Sequence, residues 1–229
     1  YLSAKFLKSN HLETHLFPEL KVEGVPKILK GNTYSVIYND MNALNKIVKK
    51  DKDISAIIME VERDKKPKKQ YLKSVRKLCN DNKICLIFDE CTSGFRETFG
   101  GIHLKYGVNP DIATFGKAIG NGYSLTATIG KKKFMIKAKD TFISSTFWSE
   151  RIGYAAAIAT LKEMKRVKSW KKIKQKGKYI KKSLFKIAKK NNLSINFFGL
   201  DSLIRFEIDG LGKLNYKTLI SQEMLKKNF

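Results

Sequence analysis

The chain has 229 residues, 42% of them hydrophobic and only 4 of them Pro, which excludes a disordered polymer and allows one large domain, or one domain and part of a second. Its formal charge of +25 raises the question of a nucleic-acid or anionic-membrane partner. Yet 40 of the 46 basic residues are Lys, spread over nearly the whole chain, whereas Arg is the usual choice for bidentate phosphate contacts; the charge reads as solvated lysine, with neither nucleic acid nor membrane as partner.

No apolar run approaches the roughly 18–20 residues of a spanning helix, and no basic start followed by an apolar core is seen. Cys79, Cys85 and Cys91 are odd in number and lack metal-ligand spacing, which suits a reducing compartment and a cytoplasmic protein.

In chain order, the apolar run 54–59 predicts a buried strand, and residues 71–82 place Leu72, Val75, Leu78 and Cys79 at helical intervals. Residues 84–88 are continuously apolar, the pattern of a parallel strand covered on both faces. Strand, helix and strand over about 35 residues form a βαβ unit, hence a parallel sheet. Further strands are expected at 112–115 and 125–129, and a small-residue helix at 155–164. From Trp170, the residues Ile173, Ile180, Leu184 and Ile187 repeat at threes and fours between lysines, with Gly177 filling one beat. A strand-like stretch, 203–208, predicts the start of a second, smaller domain.

Two segments carry chemistry. Leu86-Ile87-Phe88-Asp89-Glu90 ends an apolar strand on a carboxylate, where ligands of open α/β sheets sit. Lys117 follows 28 positions later, between Gly116 and the turn Gly120-Asn121-Gly122, with apolar flanks that predict a partly buried, desolvated amine. Taken singly, Asp89 reads as a turn or cap aspartate and Lys117 as a surface lysine. Asp89-Glu90 also fits a nucleotide hydrolase that binds Mg²⁺ through Asp89 and activates water through Glu90, but no phosphate-cradling Gly-x-x-x-x-Gly-Lys-Ser/Thr loop lies upstream. Taken together, the carboxylate and the lysine suit pyridoxal phosphate, one facing the ring nitrogen and the other carrying the aldehyde as a Schiff base. A Lys-rich nucleic-acid binder is the third reading.

The stretch 84–130 resembles the core of the class III aminotransferases, fold type I pyridoxal-phosphate enzymes, and is most similar to their glutamate-1-semialdehyde 2,1-aminomutase-like branch. Gly24-Val25-Pro26, Tyr38-Asn39-Asp40, the run Tyr106-Gly107-Val108-Asn109-Pro110-Asp111 and residues 155–161 extend the likeness over nearly the whole chain. The resemblance implies an α/β fold, a mostly parallel sheet flanked by helices, forming an incomplete large domain (1–165) and the start of a small α+β domain (166–229). It implies an amino-group transfer, as aminotransferase or aminomutase, on a small amino acid, amino-aldehyde or keto-sugar, with pyridoxal 5'-phosphate as cofactor.

By the same resemblance Lys117 is the Schiff-base lysine and proton shuttle, and Asp89 pairs with the pyridine nitrogen. Cys91 stands where the family has Val or Ile beneath the ring. Thr146 reaches the phosphate of the neighbouring subunit's cofactor, which implies a homodimer with shared sites. Glu60 matches a strand-end glutamate, although Val61 follows it here instead of Pro. The phosphate-binding loop and the aromatic residue covering the ring are expected outside the chain, as in a fragment truncated at both ends. His11 and His15, four apart around Glu13, lack a third ligand, so no metal site is expected. Arg96 and His103 read as structural or surface groups.

Overall fold

The computed structural model describes residues 32–144, 147–210 and 213–229. Helix α1 (Met41–Lys50) leads to β1 (Ala56–Glu60), α2 (Tyr71–Asp81), β2 (Cys85–Asp89), β3 (Ile112–Phe115) and β4 (Ala127–Gly130). These strands form one four-stranded sheet in the order β1-β2-β3-β4. β1, β2 and β3 run parallel, and β4 returns antiparallel along β3. The expected βαβ unit is therefore β1-α2-β2. The α/β class, with a mostly parallel sheet flanked by helices, is the one observed.

Alternation along the strands explains the core. Ile57 and Met59 of β1, with Leu86 and Phe88 of β2, are buried against Leu44 and Val48 of α1 and Leu72, Val75 and Cys79 of α2. The side chains between them, Ile58 and Ile87, face the other way and stay half-exposed. Burial on both faces was the expectation for residues 84–88; the structure covers one face more fully than the other.

Helix α1 was not anticipated, although its signals are present. Asp40 caps it, its Oδ1 accepting from the Ala43 amide at 2.9 Å, and Leu44, Ile47 and Val48 recur at helical spacing. Asp111 then locks α2 to the sheet. Its carboxylate accepts from Arg76 (2.8 Å) and from the Leu86 amide (2.9 Å) on one oxygen, and from Lys131 (2.7 Å) on the other. Burial alone would push this carboxyl up; those bonds and the two cations hold it below the usual range.

After the short helix α3 (Lys132–Met135), the chain forms α4 (Arg151–Val167) and α5 (Ser169–Lys190), then a hairpin-like pair, β5 (Ile195–Phe198) and β6 (Arg205–Ile208), antiparallel to each other, and α6 (Lys213–Lys226). Lys168, left-handed at φ 52°, is the joint between α4 and α5. The segment is fastened to the main sheet. Leu200 belongs to the same core, Lys174 pairs with the buried Glu97 carboxylate at 2.8 Å, and Arg205 pairs with Asp64 at 2.6 Å. No described helix is long and apolar enough to cross a membrane.

Candidate active site

Parallel strands end on the same edge of a sheet, so their last residues form a row. Here the row is Glu60 and Asp89, the last residues of β1 and β2, with Thr114, one residue before the end of β3, in register beside Asp89. Asp89 accepts a hydrogen bond from the Cys91 amide (3.0 Å) and a long one from the Thr114 hydroxyl (3.4 Å), both on Oδ1. Oδ2 carries neither bond. Glu60 is half-buried, which raises its carboxyl above the usual range; Arg63, at 3.5 Å, offsets part of this, and the neighbouring Asp89 charge adds to it.

Beyond β2 the chain is tied to its own glutamate. Glu90 is 1% exposed, and its oxygens accept from Ser93 Oγ (2.7 Å), the Ile102 amide (2.9 Å) and the His103 amide (3.0 Å). His103 Nδ1 lies 2.8 Å from Glu90 Oε1, and Gly94 N–H closes a turn on the Glu90 carbonyl at 2.8 Å. Glu90 thus fixes the loop 91–103 from inside and presents no oxygen to solvent water. The hydrolase reading asked Glu90 to activate water, and this geometry removes that role. His103 is a buried structural group, as read from the sequence, and Arg96 is half-buried with its Nε unpaired.

Cys91 and Thr92 stand on this anchored loop. Cys91 Sγ lies 3.8 Å from Thr114 Oγ1, and a β-carbon on Gly116 would meet Cys91 Sγ at 3.5 Å. Burial raises the thiol above its ordinary value, the Thr114 bond lowers it, Asp89 raises it through a hydrogen bond and its charge, and Lys117 lowers it. Cys91 therefore sits within electrostatic reach of both the acid and the amine.

Lys117 follows β3 directly. Its Nζ donates to Thr92 Oγ1 at 2.7 Å. Its flanks Gly116, Ala118 and Ile119 are buried, but Lys117 itself is exposed, with a left-handed backbone at φ 48°. The desolvation inferred from its apolar neighbours is absent, because the turned backbone carries the side chain outward while the neighbours pack. The turn after it needs glycine: a β-carbon on Gly120 would lie 2.2 Å from the Tyr123 carbonyl oxygen.

The structure thus gathers Glu60, Asp89, Cys91 and Lys117 at the carboxyl edge of one sheet. Thr146, His11, His15, Glu13 and Gly24-Val25-Pro26 lie outside the described residues. No group of three His, Cys, Asp or Glu among the described residues could hold a metal ion. Thr92 and the tying role of Glu90 were not anticipated. The only signal for them was their position immediately after the strand-end aspartate.

A family model for aminotransferase class-III matches residues 8–224. The 3-aminobutyryl-CoA aminotransferase of Cloacimonas acidaminovorans is 36% identical over 187 residues, which are 77% of this chain and 44% of that protein. The glutamate-1-semialdehyde 2,1-aminomutase of Methanobrevibacter smithii is 36% identical over 191 residues, 80% of this chain and 45% of that one. The chain therefore spans less than half the length of these relatives. Among solved structures, the FumI protein of Sphingopyxis sp. MTA144, in its PLP internal aldimine form, superposes with a TM-score of 0.74 at 24% identity, covering 77% of this chain and 44% of that one. That likeness concerns the fold; the match of sequence to family model spans most of the residues, and the chain belongs to the class-III aminotransferase family.

Proposed function

We propose that the whole protein is a pyridoxal 5'-phosphate enzyme that transfers an amino group, as aminotransferase or aminomutase, on a small amino acid, amino-aldehyde or keto-sugar. Family membership supports the class of chemistry. The observation that carries the reading is the gathering of Asp89 and Lys117 around Cys91 and Thr92 at the carboxyl edge of the sheet. The donor set fits the cofactor: a carboxylate with one oxygen outside the local bonds, a primary amine open to solvent, and a small apolar thiol within reach of both. When bound, the cofactor supplies an electron sink for negative charge developing beside the substrate's amine.

In this reading, Asp89 would hold a proton on the ring nitrogen, because a nearby carboxylate stabilises the charged ring. The Cys91 amide bond keeps Asp89 Oδ1 in place. Lys117 Nζ would carry the cofactor covalently and, once displaced by substrate, move a proton at the substrate carbon. Cys91 would pack beneath the ring. Glu60, beside Asp89 in register, would add negative charge to the same edge.

We also propose that the enzyme is a homodimer in which Thr146 serves the neighbouring subunit's cofactor phosphate. Around that position Phe142 is 98% exposed, and Phe147, Trp148 and Ile152 are also exposed, an apolar surface that a second copy would cover. The division into a large domain to residue 165 and a smaller one from 166 is proposed on the separate β5-β6 sheet.

The full-length protein should show the visible absorbance of bound pyridoxal phosphate, and Lys117→Ala should abolish it. An unchanged spectrum would end the assignment of that lysine.

A further inference from the structure

The proposed lysine is exposed, on a backbone that turns it away from its buried flanks, so its own packing does not aim it. A flexible four-carbon side chain in water samples many rotamers, and an amine that must meet one atom gains from being held. One described side chain holds it: Thr92, whose Oγ1 accepts from Lys117 Nζ at 2.7 Å.

Thr92 is itself held on both sides. Before it, the Cys91 amide donates to Asp89 Oδ1 at 3.0 Å. After it, Ser93 is 1% exposed, with its hydroxyl on Glu90 Oε2 at 2.7 Å, and the Gly94 amide closes on the Glu90 carbonyl. The loop cannot relax away from Lys117 without breaking a bond to Asp89 or Glu90. Gly94 reinforces this, since a β-carbon there would lie 2.7 Å from the Glu90 carbonyl oxygen and 2.8 Å from the Phe115 ring. The anchored hydroxyl therefore stands at a set place relative to β2 and β3.

A hydroxyl suits this task in both protonation states of the amine. It accepts from an ammonium, and it can rotate to donate to a neutral amine's lone pair. A carboxylate in its place could only accept, and would favour the cation over the neutral amine.

We propose that Thr92 is the positioning residue for the Lys117 amine, tethering it beside Asp89 and Cys91 whenever that amine is not engaged with cofactor. The link to catalysis rests on the cofactor reading given above; the tether itself does not. Thr92 is not a catalytic residue in this proposal, because it acts through Lys117.

The test uses the cofactor-free full-length protein. Its lysines are acylated with a trace of an N-hydroxysuccinimidyl acetate at neutral pH, and the rate is read peptide by peptide by mass spectrometry. Lys83, exposed at the opposite end of β2, is the internal reference. Thr92→Val keeps shape and removes the hydroxyl; Thr92→Ala is the second variant should valine disturb the fold, and circular dichroism checks both. Both should raise acylation of Lys117 about fivefold relative to Lys83, the scale of one ordinary hydrogen bond lost at a solvent-exposed site, and Thr92→Ser should restore the wild-type rate. Equal labelling of Lys117 in wild type and either folded variant, or failure of Ser to restore it, overturns the proposal. If the tether passes but Lys117→Ala keeps the cofactor absorbance, the cofactor reading alone fails; the opposite pattern removes the tether alone.

Discussion

A β-carbon placed on Gly177, midway along α5, would stand 1.7 Å from the carbonyl oxygen of Asp201. The helix therefore meets the 201–203 turn backbone to backbone, and Leu200, just before that turn, belongs to the core under the main sheet. Helix propensity favours Ala over Gly by about 1 kcal/mol in an exposed helix. Here the contact reverses the sign. Gly177→Ala should destabilise the protein by about 2 kcal/mol or more, measured by urea unfolding, because neither backbone can yield cheaply. A stabilised variant would show that α5 and the 201–203 turn do not touch.

Asp111 predicts an acid limit. Its carboxyl is held below the usual range by the Leu86 amide, Lys131 and Arg76 against the opposing effect of burial. Glu97 is lowered too: burial raises it, but the Lys174 bond and charge and the Ser202 amide outweigh that. A carboxyl with a depressed folded-state pKa contributes stability above its unfolded value and loses it as pH falls through the folded value. Stability should therefore drop below about pH 4, near the unfolded carboxyl range. Asp111→Asn should cost about 3 kcal/mol at pH 7, since Arg76 would be left without its partner, and should flatten the acid branch. Urea titrations from pH 7 down to 3 check both.

Asp89→Asn isolates charge from shape. Asparagine keeps an Oδ1 for the Cys91 amide and the Thr114 hydroxyl, so the loop should hold. Loss of the negative charge should lower turnover of the full-length enzyme about a hundredfold or more, since an adjacent charge is worth one to three pKa units to its partner. The cofactor absorbance should persist. Turnover close to wild type would remove Asp89 from the ring nitrogen.

The cysteines should differ in reactivity. Burial pushes the Cys79 thiol up to about 12 and raises Cys85 as well, and both are buried. Cys91 is raised less simply, with Lys117 opposing, and is part-exposed. Iodoacetamide should modify Cys91 first, its rate still climbing above the ordinary thiol range of about 8.5 because burial raises this thiol. Pyridoxal phosphate should slow that reaction about tenfold in the full-length protein if Cys91 lies beneath the ring. An unprotected Cys91 would place it elsewhere.

Local patterns made much of this molecule legible in advance. The runs at 54–59 and 84–88, the helical spacing of Leu72, Val75 and Cys79, and the threes and fours from Trp170 match β1, β2, α2 and α5 within a few residues. Each is set by periodic burial, which adjacent residues record. The signals for α1, the Asp40 cap and Leu44-Ile47-Val48, are equally local. The antiparallel return of β4 left no comparable trace, because direction depends on which strand a segment meets.

From the residues alone came the α/β class, the family, and the pairing of a strand-end carboxylate with a distant lysine, since strand ends and glycine turns are written locally. What the lysine's surroundings are like was decided by tertiary structure. Its apolar neighbours suggested burial, yet φ 48° turns Lys117 into solvent and a threonine 25 positions earlier receives its amine. Likewise, Glu90 looked available for chemistry until the returning loop placed Ser93, Ile102 and His103 around it. Such contacts arise where separate strands and loops converge, and the identity of a single neighbour in sequence does not encode them.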